Sequence, residues 1–112
     1  MSLASLQNYP RTRDEFALWS FGHAAHHRDI LRRIFETKNQ NLTSFLLDPF
    51  DPTEMGSWTQ NHWIMHQQMD KALNIQSYDL SQLDWEDPEL MTDWLQKNYY
   101  EHSIAAQLLN IG

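Results

Sequence analysis

Three stretches of the chain place apolar residues three and four positions apart, the spacing of one face of an α-helix. In the first, Phe16, Trp19, His23, His27, Ile30, Leu31 and Ile34 share a stripe, with Arg28, Asp29, Arg32 and Glu36 opposite. In the second the stripe is Met55, Trp58, His62, Met65, Met69, Ala72 and Leu73, with His66 towards one edge. The third runs Met91, Trp94, Leu95, Asn98, His102, Ala105, Ala106 and Leu109. Start signals bound all three. Thr12 and Glu15 form a capping box, in which each side chain is expected to satisfy a backbone donor of the other. Asp51 and Asp87 each stand before a proline, Pro52 and Pro88, the residue suited to the first helical position. The pattern predicts helices over about 12–38, 51–74 and 87–110, with Gly56-Ser57 disturbing the first turn of the second. Residues 1–11 read as an extended arm, and the linkers 39–50 and 75–86 have room for no more than a short helical turn. The expected fold class is all-α: residues 1–112 form a single bundle of three long helices with an extended N-terminal arm.

The three stretches also repeat one another. Trp19-x3-His23-x3-His27 returns 39 residues on as Trp58-x3-His62-x3-His66, and a further 36 on as Trp94-x3-Asn98-x3-His102. Phe16, Met55 and Met91 precede the tryptophans by three, and Ile34, Leu73 and Leu109 follow the last position by seven. Leu47-Asp48-x-x-Asp51 answers Leu83-Asp84-x-x-Asp87, and Leu73-Asn74-Ile75 answers Leu109-Asn110-Ile111. We read three copies of one linker-plus-helix unit. Polar residues then sit half-way along every stripe, and a three-helix bundle brings them into one central layer, whether the helices run up-down-up or all parallel. His26 falls at the margin of its stripe and is expected to be exposed; Asp70 is expected on the outer surface.

A buried polar layer needs partners, because an unpaired buried polar group costs roughly 1–3 kcal/mol. One solution is a metal ion, since neutral imidazoles paired i,i+4 on a helix face suit a first-row transition ion. His27, His66 and His102 are the candidate ligands, one per helix, supported by His23, His62, Asn98 and Glu101; an antiparallel middle helix substitutes His62 for His66. The other solution is a hydrogen-bonded network that fixes helix register. No carboxylate lies on a stripe, Glu101 being nearest at an edge, so a carboxylate-bridged di-iron centre has no evident bridge. Zinc, nickel or copper suits a site made of histidine.

Composition narrows the function classes. The 112 residues carry no Cys, which removes disulfides, thiolate metal sites and cysteine nucleophiles. The formal charge is −7, with the basic residues concentrated in 1–38, so nucleic acid is not an expected partner. No apolar run reaches the ~20 residues of a membrane span, and the first ten residues lack the pattern of a secretory leader. Phosphate loops, Gly-x-Ser-x-Gly and His-Glu-x-x-His are missing, so no catalytic residues are assigned and a non-enzymatic role is expected. Tyr9 on the arm and the outward Trp63, Ile64, Tyr100 and Ile104 form a candidate contact surface for a protein partner or a second copy, unless Phe45, Leu46 and Leu47 of the linker cover the helical four.

In kind, the histidine stripes resemble the DinB and hemerythrin-like families, where histidines from several helices of a four-helix bundle hold a metal; the resemblance implies a bound first-row ion. A second resemblance spans nearly the whole chain. Asn8-Tyr9-Pro10-Arg11-Thr12, His62-x-x-Met65-His66-x-x-Met69, Leu83-Asp84-x-x-Asp87-Pro88 and Asn98-x-x-Glu101-His102-x-x-Ala105 resemble small uncharacterised proteins encoded in tailed-bacteriophage genomes. It implies a virion structural or assembly component that works by protein–protein contacts, in the host cytoplasm or in the virion. That is the leading expectation, with a metal-binding histidine bundle as the alternative.

Overall fold

The computed structural model describes residues 3–42 and 49–112; the linker positions Phe45, Leu46 and Leu47 lie outside them. Three α-helices carry the fold: α1 (Arg13–Lys38), α2 (Met55–Leu73) and α3 (Pro88–Leu109), and no strand occurs among the described residues. Each start has a chemical cause. The Thr12 hydroxyl accepts from the Glu15 N–H at 3.1 Å, and Asp87 accepts from the Leu90 N–H at 3.1 Å. Glu15 completes only half of the capping box, because its carboxylate takes the Arg11 N–H at 2.8 Å rather than that of Thr12. Ahead of α2, Asp51 caps a short 3₁₀ turn, Pro52–Glu54, which becomes α-helix at Met55. All three helices end alike. Asn39, Asn74 and Asn110 adopt the left-handed conformation (φ 52°, 56° and 57°), where asparagine is tolerated better than other side chains with a Cβ.

The helices run parallel. His23 meets His62 and His27 meets His66, so α1 and α2 advance together; His23 meets Asn98 and His27 meets His102, so α3 does too. The ends agree: Arg13 donates to the Pro52 carbonyl at one end, and Arg33 donates to the Leu109 carbonyl at the other. Parallel neighbours require a long return connection, unlike the short loops of up-down bundles. After Asn74 the chain turns back along the bundle without regular structure. Ser77 bonds Asp70, the Tyr78 N–H reaches Glu101, the Leu80 carbonyl accepts from Trp94, and the Ser81 carbonyl accepts from Gln60. Leu80 and Leu83 are buried on the way, so this connection is part of the core.

The N-terminal segment is not the extended arm expected from its sequence. Leu3–Gln7 form a 3₁₀ helix packed on α1 and α3, with Leu6 fully buried. The Leu6 carbonyl accepts from the Trp19 indole, and the Leu3 N–H donates to the Gly112 carbonyl. The cause is apolar: Leu6 and Pro10 find shelter against the helices that solvent does not offer.

Two apolar clusters divide the bundle. At the N-terminal end Phe16 is surrounded by Trp19, Phe50, Trp58, Trp85 and Trp94, with ring centroids 4.6–5.7 Å away. At the C-terminal end Ile30, Ile34, Met69, Leu73, Ala105 and Leu109 pack together. The polar layer lies between them. Among the described residues no helix is long and apolar enough to cross a membrane.

Candidate metal centre

Six side chains, one i,i+4 pair from each helix, converge between the two clusters. His23 and His27 come from α1, His62 and His66 from α2, Asn98 and His102 from α3, and all six are buried. The ring nitrogens that meet are all Nε2. His23 Nε2 lies 3.2 Å from those of His27 and His62, and His27 Nε2 lies 3.2 Å from His66 and 3.1 Å from His102. Asn98 Oδ1 lies 3.1 Å from His23 Nε2. All five histidine donor atoms fall within 4.8 Å of one another. A zinc-like ion with nitrogen ligands at ~2.0–2.1 Å spaces neighbouring donors by about 3 Å, and this cluster already has that spacing.

Hydrogen bonding alone fits poorly. The Nε2 of a neutral imidazole offers either one proton or one lone pair, hence one bond. His27 Nε2 nevertheless faces three other Nε2 atoms, and His23 Nε2 faces two and the Asn98 oxygen. Only two of these five contacts can be full hydrogen bonds at once; in the other three, His27 and His23 have no further proton or lone pair to offer.

The outer nitrogens have partners that accommodate a proton on Nδ1. His66 Nδ1 lies 3.3 Å from Glu101 Oε1, and a proton on Nδ1 leaves a bare lone pair on Nε2. His102 Nδ1 lies 2.7 Å from His26 Nδ1, and a proton on His102 Nδ1 likewise frees its Nε2. Partners of this kind orient ligating histidines and raise their basicity. His27 Nδ1 and His62 Nδ1 have no hydrogen-bond partner among the described residues. Indole rings close the N-terminal side, Trp19 stacked on His23 with centroids 4.6 Å apart and Trp58 on His62 at 4.8 Å.

Electrostatics keeps the ligands neutral. Burial pushes the pKa of His23, His27, His62 and His102 well below 6.5, and repulsion from neighbouring imidazoles adds to it. Burial takes His66 down to about 4 against the opposing pull of Asp70. These rings are unprotonated at neutral pH, the form that binds metal.

Two expectations are overturned around this core. Asp70 is not on the surface, and His26 is not exposed: each is 1 % accessible. A helix in a three-helix bundle packs against two neighbours and a return connection, so its buried arc is wider than one stripe. His26 faces His102, while Asp70 lies under Ser77 and beside Glu101. Burial first, then Glu101, pushes the Asp70 carboxyl up to about 8. Asp70 Oδ2 accepts from Ser77 at 2.7 Å, and Oδ1 has no hydrogen-bond partner among the described residues. Burial also raises Glu101, against the pull of Asp70 and of the Tyr78 N–H. The site therefore does hold buried carboxyl groups, but outside the ring of converging nitrogens.

Of the candidate contact residues, Ile64 and Tyr100 are exposed and Ile104 is half-buried. Tyr9 and Trp63 pack partly against the N-terminal apolar cluster. Sequence reasoning missed the exposed Leu18, Phe21, Phe35 and Leu108, which lie outside the stripes, and the second-layer roles of His26 and Asp70. No family model, curated protein or solved structure matches this chain.

Proposed function

We propose that this protein binds one first-row transition-metal ion between its three helices. The observation that carries the reading is the convergence of five histidine nitrogens within 4.8 Å, with His27 and His23 in more contacts than one hydrogen bond each can serve, an arrangement that a cation satisfies. His27, His66 and His102 are the first ligands, joined by His23 and His62; Glu101 and His26 orient His66 and His102 through their Nδ1 atoms. The reading goes with three copies of one linker-plus-helix unit, each contributing a pair of polar side chains at the same level. It takes precedence over a virion or assembly role because a built site supports it, whereas the contact role rests on scattered exposed side chains such as Ile64 and Tyr100.

The test is elemental analysis of the purified protein, followed by chelator treatment, metal return and thermal melting in each state. One equivalent of metal is expected, with stabilisation of about 2.7 kcal/mol when free metal stands at ~100 times its dissociation constant. A protein that takes up no zinc, nickel, cobalt, iron or copper, and melts identically with and without chelator, would falsify the reading.

A further inference from the structure

We infer that the ion is six-coordinate, with Asn98 Oδ1 beside the five imidazoles, so that the site selects an octahedral divalent ion of the iron, cobalt and nickel group over tetrahedral zinc. This rests on the metal reading above and adds the coordination number, the sixth ligand and the class of ion. Three parallel helices each present an i,i+4 pair, and two such layers of three give six donors: His23, His62 and Asn98 towards the N-terminal end, His27, His66 and His102 towards the C-terminal end. Five nitrogens are already one more than a tetrahedron accepts. Asn98 Oδ1 stands 3.1 Å from His23 Nε2, the same spacing that the nitrogens keep from one another. Asn98 is completely buried, and its Nδ2 has no partner among the described residues, so its amide is not placed by hydrogen bonding on that side. Imidazole suits iron and nickel as well as zinc, so the number and arrangement of donors decide among them. A shell filled by side chains leaves no vertex for a substrate oxygen; the ion ties the helices together and does not activate a bound molecule.

The experiment loads the chelator-treated full chain with Co(II) alone and records its visible absorption, with X-ray absorption giving the number of light-atom neighbours independently of any variant. The weak band of six-coordinate Co(II) and a shell of six nitrogen or oxygen atoms are expected; the intense band of four-coordinate Co(II) overturns the inference while leaving the metal site standing. Failure to bind Co(II) or Ni(II) while zinc or copper binds overturns this inference and leaves the metal reading standing; failure to bind any of these ions overturns both. Asn98→Leu removes the oxygen donor and is expected to strengthen the Co(II) absorption and weaken Ni(II) binding by about tenfold or more, whereas Asn98→Asp keeps the weak band. If Asn98→Leu folds by circular dichroism and leaves both spectrum and affinity unchanged, Asn98 is not a ligand. If it does not fold, the neighbour count of the wild-type protein decides.

Discussion

Glu101 is the residue through which the metal layer meets the rest of the core. One carboxylate oxygen meets His66 Nδ1 and the other accepts from the Tyr78 N–H, so a single side chain contacts a proposed ligand of α2 and pins the return connection. Glu101→Gln removes the negative charge behind His66, and its amide cannot accept on both sides. Metal affinity is expected to fall by about 10–100-fold, read by competition with a chromophoric chelator; an unchanged affinity removes Glu101 from the outer layer. Asp70→Asn acts in the opposite sense. The amide donates to Glu101 as protonated Asp70 does, without the tendency to ionise, so the variant is expected to be at least as stable as wild type at pH 8. A clear loss of stability in urea denaturation counts against a protonated Asp70. These outer positions were only partly visible in the sequence. His26 and Glu101 each stand three residues after the first polar position of their helix, about 60° round from it. In a parallel bundle that place turns towards the next helix, as His26 does to His102 and Glu101 to His66. A stripe drawn for a single seam leaves it outside.

Among the elements, helix limits were the clearest reading, because capping chemistry is local. Thr12, Asp51 and Asp87 stand in the sequence where they stand in the structure, and the three asparagines that end the helices do so by adopting positive φ. Asn74 takes this role where the chain must reverse, its N–H reaching back to the Asp70 and Lys71 carbonyls. Asn74→Ala is expected to cost about 1–2 kcal/mol, because a Cβ without the asparagine amide is disfavoured in that conformation, while Asn74→Gly is tolerated. Equal urea midpoints for the two variants contradict this. Helix direction was not legible, since linkers of a dozen residues serve either topology. It is settled by long-range contacts: Ser77 on Asp70, Leu80 under the Trp94 indole, Gln60 on Ser81. Parallel helices also align their dipoles, which repel. The acids Asp14, Glu15 and Glu89 in first turns, and Lys38 and Lys71 in last turns, oppose that cost.

For the molecule as a whole, the central layer makes stability depend on acid in a way that distinguishes its members. In the metal-free protein the five converging histidines have folded-state pKa values below the unfolded value near 6.5, with His66 at about 4. Between those limits the unfolded chain binds more protons, so stability rises with pH; the contribution is complete above about pH 6.5 and is lost as pH falls towards 4. Each histidine adds up to about 1.4 kcal/mol per pH unit to that slope. Asp70 works the other way. Its folded-state value of about 8 exceeds the unfolded 3.8, so its penalty grows as pH rises between them. Five groups outweigh one below 6.5, and above it the imidazoles no longer add to the slope while Asp70 still does. Urea midpoints of the chelator-treated protein are therefore expected to climb steeply from pH 4.5 to 6.5 and then decline gently to pH 8. In Asp70→Asn the decline disappears and the climb stays. A flat profile below pH 6.5 means that the imidazoles are not buried neutral in the folded state, and the ready-made ligand set goes with them; a decline that persists in Asp70→Asn assigns the alkaline limb to another group. Bound metal holds the same rings unprotonated, so the loaded protein should keep its midpoint to lower pH than the stripped one.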